Sequence, residues 1–217
     1  MKPMKSLTFR DMYKKIVYVE DKTSINVLNK GYQIEIDGDE TGILGYGYVD
    51  SENGICFNIF SIVKVEDDKV VKYNDKPMEL KINHRVRLED VFNLYGFEVE
   101  YESLNLERYV DRAIEINERF FESEEKEALR YNMQIDELRH YLYPDDLQGY
   151  IYDRENNKLE GLWVRTIAML PTGILAKVIT PVSRELNIAL EDELEFKLFN
   201  IDGKLRLMYI IDEGNIS

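Results

Sequence analysis

The chain has 217 residues, 44% of them hydrophobic and 32% charged, with a formal net charge of -14 at pH 7. This balance excludes a disordered chain, and the length allows one large domain or two small ones with real cores. The negative charge disfavours nucleic acid over the protein as a whole and suits a partner that presents a basic surface.

No apolar run approaches the roughly 20 residues that span a bilayer. The basic start Met1-Lys2-Pro3-Met4-Lys5 is not followed by an apolar signal segment, so the expected location is the cytoplasm. The single cysteine, Cys56, fits a reducing compartment and sits in an apolar run, which reads as a small buried hydrophobe rather than a nucleophile.

Taken in order, residues 1–101 read as a mainly antiparallel β unit. A short helix is expected over Ser6 to Tyr13, then a strand at Ile16 to Val19. Tyr32 to Ile36 alternates cleanly, and Asp37-Gly38-Asp39 turns the chain. Ile43 to Val49 is a strand interrupted by glycines. Gly42, Gly45 and Gly47 lie inside or beside strand rather than before a helix, so they predict bulges or close packing rather than a phosphate loop. Asn53-Gly54 marks a turn into the long apolar strand Ile55 to Val65. Further strands are expected at Val70 to Tyr73, Met78 to Ile82 and Phe97 to Tyr101, with a short helix at Leu88 to Tyr95 capped by Gly96.

Residues 102–144 read as a helical connector. Ser103 is placed to cap its start. Leu106, Val110, Ala113, Ile114, Phe120 and Phe121 recur at helical spacing, and the acidic run Glu122-Ser123-Glu124-Glu125 interrupts the helix. A second segment carries Leu129 to Leu142 and stops at Pro144. Residues 145–217 form a second β unit. It has a strand at Gln148 to Tyr152, a hairpin around Pro171-Thr172-Gly173 and a final hairpin at Asp202-Gly203. Leu194, Phe196 and Leu198 share one face of that last hairpin, as do Leu205, Leu207 and Tyr209 on the returning strand. The fold class is therefore α+β.

From Gly161 to about residue 211 the pattern resembles the AbrB/MazE family of swapped-hairpin domains, found in bacterial transcription regulators and antitoxins. The matching pieces are Val178-Ile179-Thr180-Pro181, Arg184-Glu185-Leu186-Asn187-Ile188, Glu191-Asp192-Glu193-Leu194-Glu195-Phe196 and Asp202-Gly203-Lys204-Leu205-Arg206-Leu207. The segment between Pro181 and Leu186 is shorter than the family pattern, Glu191 stands where glycine is usual, and Ala176 replaces another glycine. The resemblance implies an intertwined dimer. It also implies a DNA contact at Lys177, with Arg165 and Arg184 near other such positions. The module is itself acidic and lacks a basic stripe, which argues against strong DNA binding.

No catalytic constellation assembles. The two histidines differ in setting: His84 reads as a surface turn and His140 as a helix end. There is no zinc spacing, Walker pattern or nucleophile elbow. Glu115, Glu118 and Glu122 with His140 contain no Glu-x-x-His pair, so neither metal nor cofactor is expected. The 15 tyrosines suit a protein interface. The expected function is a non-catalytic acidic protein that binds a basic or nucleic-acid-binding protein, of antitoxin, immunity or phage-inhibitor type. Glu115, Glu118, Glu122, Glu124 and Glu125 form the preferred contact, and Glu191-Asp192-Glu193 the second. The alternatives are an AbrB-like regulator binding DNA through Arg165, Lys177 and Arg184, and an enzyme without a recognisable motif.

Overall fold

Short apolar runs between turn residues become strands throughout, and two short helices lie between them in the middle of the chain. The computed structural model describes residues 1–20, 38–74, 84–99, 107 and 109–211. The fold is α+β with mainly antiparallel pairing. The expected strands Tyr32 to Ile36 and Met78 to Ile82, the cap at Ser103, and Leu106 lie outside the described residues. The chain divides into two units, Met1–Phe121 and Glu122–Ser217.

In the first unit, β1 (Lys2–Pro3), β2 (Ile16–Glu20), β3 (Gly42–Asp50), β4 (Gly54–Glu66), β5 (Lys69–Asn74), β6 (Arg85–Arg87) and β7 (Tyr95–Glu98) form one sheet. Its order is β1-β7-β2-β3-β4-β5, with β6 also paired to β4. The turn between β3 and β4 follows from its sequence. Asp50 Oδ1 accepts from the backbone N–H groups of Glu52 and Asn53, and Gly54 supplies the left-handed φ of 71°. The strand glycines allow close approach. A Cβ on Gly47 would stand 2.0 Å from the Met12 carbonyl oxygen in α1 (Phe9–Met12). Gly47→Ala is therefore expected to cost about 1–3 kcal/mol of stability, read as a lower urea midpoint with an unchanged slope.

Two expectations in this unit are corrected. The helix expected over Leu88 to Tyr95 is a single turn, α2 (Leu88–Val91). Gly96 does not cap it but sits in β7, where a Cβ would meet Met4 Sδ and the Tyr18 carbonyl oxygen at 2.4 Å. His84 is not on a surface turn. It is 8% exposed, and its carbonyl accepts the Ile59 N–H on the side of β4. Cys56 is fully buried in β4, and burial pushes its thiol up to about 12, which leaves it an inert apolar group.

The expected connector does not stand apart. Its first helix, α3 (Val110–Arg119), packs in the first unit, and its second, α4 (Glu124–Tyr131), belongs to the second. Ser123 caps α4, its Oγ accepting the Lys126 N–H. Tyr109, Ala113, Ile116 and Phe120 turn α3 onto the sheet, where Phe60 stacks on Tyr109 at 5.0 Å and Tyr48 meets Phe120 at 4.2 Å. Asn117 hydrogen-bonds the Tyr46 hydroxyl.

The second unit is a closed barrel of β8 (Asp146–Asp153), β9 (Lys158–Leu170), β10 (Gly173–Val178), β11 (Glu193–Ile201) and β12 (Lys204–Ile211). Each strand runs antiparallel to the next. An up-and-down circuit of five strands is odd, so its first and last members point the same way. Accordingly β12 and β8 pair in parallel, from Leu207 opposite Gly149 to Ile211 opposite Asp153. Both expected hairpins are present, and Asp202 and Gly203 take the left-handed φ values, 52° and 76°, that a two-residue turn requires. Phe196, Leu207, Ile151, Leu162, Val164 and Ile174 fill the interior. The strands from Gly161 onwards close this barrel together with β8.

Candidate functional site

The exposed side of α3 differs from its expected composition. Val110 and Ile114, assigned by spacing to the buried stripe, are 48% and 49% exposed, one turn apart. Tyr109 and Ile116 take buried positions instead, beside the expected Phe120, because their ring and branched chain fit the aromatic floor of Tyr46, Tyr48 and Phe60. Asp111, Glu115 and Glu118 are exposed on the same helix. The resulting face mixes two apolar side chains with three carboxylates.

The five acids singled out in the sequence do not form one helix face. Glu115 and Glu118 lie on α3, which ends at Arg119. Glu124 and Glu125 lie in the first turn of α4, where carboxylates favour the helix dipole. The Glu125 carboxyl is held below its usual range by its own backbone N–H and by Ser123. Glu122 lies between the helices and accepts from Arg130. In the second acidic segment, Glu191 takes a left-handed φ of 72°. Glu191 pairs with Lys177 at 3.0 Å. Asp192 closes the turn by accepting the Ala189 N–H, and Glu193 begins β11.

The basic residues of the DNA-binding alternative are brought partly together. Lys177 and Arg165 are cross-strand neighbours on β10 and β9 and line one cleft with Ser123, Lys126 and Glu191. Arg165 is gripped by both oxygens of Asp146, at 2.7 and 3.1 Å, and Lys177 by Glu191. A phosphate at either cation would have to displace a carboxylate. Arg184 lies apart from them, exposed on the 3-10 turn Arg184–Leu186.

Sequence reasoning missed the most tightly held charge. Arg130 is 1% exposed, yet three carboxylates surround it. Asp145 takes Nε and Nη2 at 3.1 and 2.8 Å, Glu127 takes Nη1 at 3.0 Å, and Glu122 takes Nη2. Lys126, also buried, donates to the Thr166 carbonyl and lies 3.5 Å from Asp145. Burial works to raise the Asp145 carboxyl, but the hydrogen bonds and charge of Arg130 with the charge of Lys126 outweigh it and hold the group below its usual range. The cluster ties α4 to the β8–β9 edge of the barrel. An i,i+3 spacing links Arg130 to Glu127, but nothing in the sequence distinguishes Arg130 from a solvated helix cation.

No family model matches the chain, and neither does any curated protein or solved structure. Among the described residues no three metal-ligating side chains converge, and no helix is long and apolar enough to cross a membrane. The Nδ1 of His140 accepts from the backbone of Leu142 and Tyr143, and the ring meets Trp163 edge-on at 5.0 Å, a packing role. The mixed face of α3 is the arrangement with a chemical use that packing does not already explain.

Proposed function

We propose that this chain is a non-catalytic protein that binds a basic protein partner and inhibits or regulates it, with the exposed face of α3 as the contact. The observation that carries the reading is the pairing of Val110 and Ile114 with Asp111, Glu115 and Glu118 on one short helix. Half-exposed branched side chains one turn apart offer apolar area that a partner can bury. The flanking carboxylates, in a chain of net charge -14, speed encounter with a basic surface and disfavour acidic competitors. The packing of α3 on Phe60 and Tyr109 presents this face pre-formed, which lowers the ordering cost of association.

The test is capture by the immobilised full chain from a lysate of its native host, eluted by stepping from low to high salt. One basic protein is expected to leave with salt. Glu115→Lys with Glu118→Lys is expected to weaken its retention at least about tenfold, the effect of roughly 1.4 kcal/mol. Ile114→Ala should lengthen neither its residence nor its capture, and is expected to reduce both, since anchors act mainly on dissociation. Capture that is indifferent to both sets of changes would overturn the assignment.

A further inference from the structure

The hairpin of β11 and β12 opens before its strands end. Its register runs from Ile201 opposite Lys204 to Lys197 opposite Met208, and the next rung, Glu195 with Ile210, is not made. Beyond that point β11 pairs only with β10, through Glu193 to Phe196, and β12 only with β8, through Tyr209 to Ile211.

The direction of the unpaired backbone groups follows from alternation. The Ile211 carbonyl faces β8, where it accepts the Arg154 N–H, so the groups of Ile210 turn towards β11. On the other strand the Asp192 carbonyl accepts the Val178 N–H of β10, so Asp192, Leu194 and Phe196 face β10, and Glu195 faces β12. Both ends of the missing rung therefore point into the gap, offering two N–H donors and two carbonyl acceptors. The gap is a groove of about 640 Å³.

The side chains of the groove are suited to a peptide. Phe199, Met208 and Ile210 make an apolar wall on the outer side of the barrel, a face that a one-sided sheet would fill with polar residues. Lys197 and Glu195 stand at its rim, and neither has an ion pair among the described residues.

We propose that this groove takes a short extended segment of another protein, pairing its backbone with Glu195 and Ile210 and carrying an acidic side chain beside an apolar one. The mode is addition of a strand to an exposed edge, where main-chain hydrogen bonds give affinity and alternate side chains give selectivity. The apolar residue rests on Phe199 and Ile210, and the acid meets Lys197. The site is separate from the face of α3 and selects the opposite charge, so it stands whether or not that face binds a basic partner.

The test uses the immobilised full chain and a random-peptide display library. Enriched peptides are expected to hold an acid and a large apolar residue two positions apart, the same-face spacing of a strand. In fluorescence polarisation with the best peptide, Lys197→Glu is expected to lower affinity about tenfold, with the fold of the variant checked by Trp163 fluorescence. Methylating the peptide's backbone nitrogens one at a time is expected to cost affinity at two adjacent positions, one facing Glu195 and one facing Ile210, and little elsewhere. No enrichment, affinity indifferent to Lys197→Glu, or equal losses at every nitrogen would overturn the proposal. So would an oligothymidylate that binds through Lys197 while no peptide enriches, which would make the groove a nucleic-acid site.

Discussion

Arg130→Ala is expected to lower the stability of the second unit by about 3–5 kcal/mol, the scale for removing one partner of a buried ion pair. The loss is large because three groups are stranded together. Asp145 is left buried without the guanidinium that grips it, and Glu127 and Glu122 lose their shared cation. Arg130→Lys is expected to fall between, because an ammonium keeps the charge but cannot grip both Asp145 oxygens. Trp163 is the only tryptophan and lies in β9, so urea unfolding followed by its fluorescence reports on this unit. The same cluster sets an acid limit. The Asp145 carboxyl is depressed in the folded state, so its contribution is fully present above its unfolded value, about pH 4. It is lost as the pH falls through the lower folded value. In Arg130→Ala that acid-side slope is expected to flatten. A variant with an unchanged urea midpoint, or an unchanged slope, would show the cage to be without energetic weight.

Phe60→Ala is expected to cost about 3–5 kcal/mol in the first unit. Phe60 is 1% exposed and stacks on Tyr46 at 5.6 Å and on Tyr109 at 5.0 Å, with the Arg112 guanidinium over its ring. Removing it opens a cavity under the helix that carries the proposed contact. Tyrosine near-ultraviolet dichroism during thermal melting measures the first effect, since Tyr46 and Tyr109 lose their ring neighbour. Partner capture at low salt measures the second and is expected to fall with it. Ile114→Ala makes the opposite pattern: its side chain is half exposed, so stability is expected to move by less than about 0.5 kcal/mol while capture drops. If both variants lose capture only in proportion to lost stability, α3 is a structural strut and not a contact.

Much of the fold was legible because strands and turns are local. Asp50, Asn53 and Gly54 dictate the β3–β4 turn through side-chain acceptors and a left-handed glycine, and Asp202-Gly203 dictates the last hairpin in the same way. Period two placed Phe196 and Leu207 in a core before the core was known. The helix break near Glu122 was readable from the acidic run Glu122-Ser123-Glu124-Glu125.

The candidate sites were less legible. Val110 and Ile114 fit the helical stripe as well as Tyr109 and Ile116 do, since both sets recur at three and four residues. Only the aromatic floor of β3 and β4 chose between them. Glu122 and Glu115 look alike in sequence, yet one is bound to a buried arginine eight residues on and the other is exposed. The groove between β11 and β12 has no local signature, because both strands continue their alternation past the point where they part. By itself the sequence determined most of the strands and the turns, which depend on residues a few positions apart, and the sign of the net charge, which depends on composition alone. Which helix side is wet, which carboxylate is caged and where the hairpin opens were decided only by the tertiary structure. Each depends on what a distant segment places opposite, and local spacing carries no information about that.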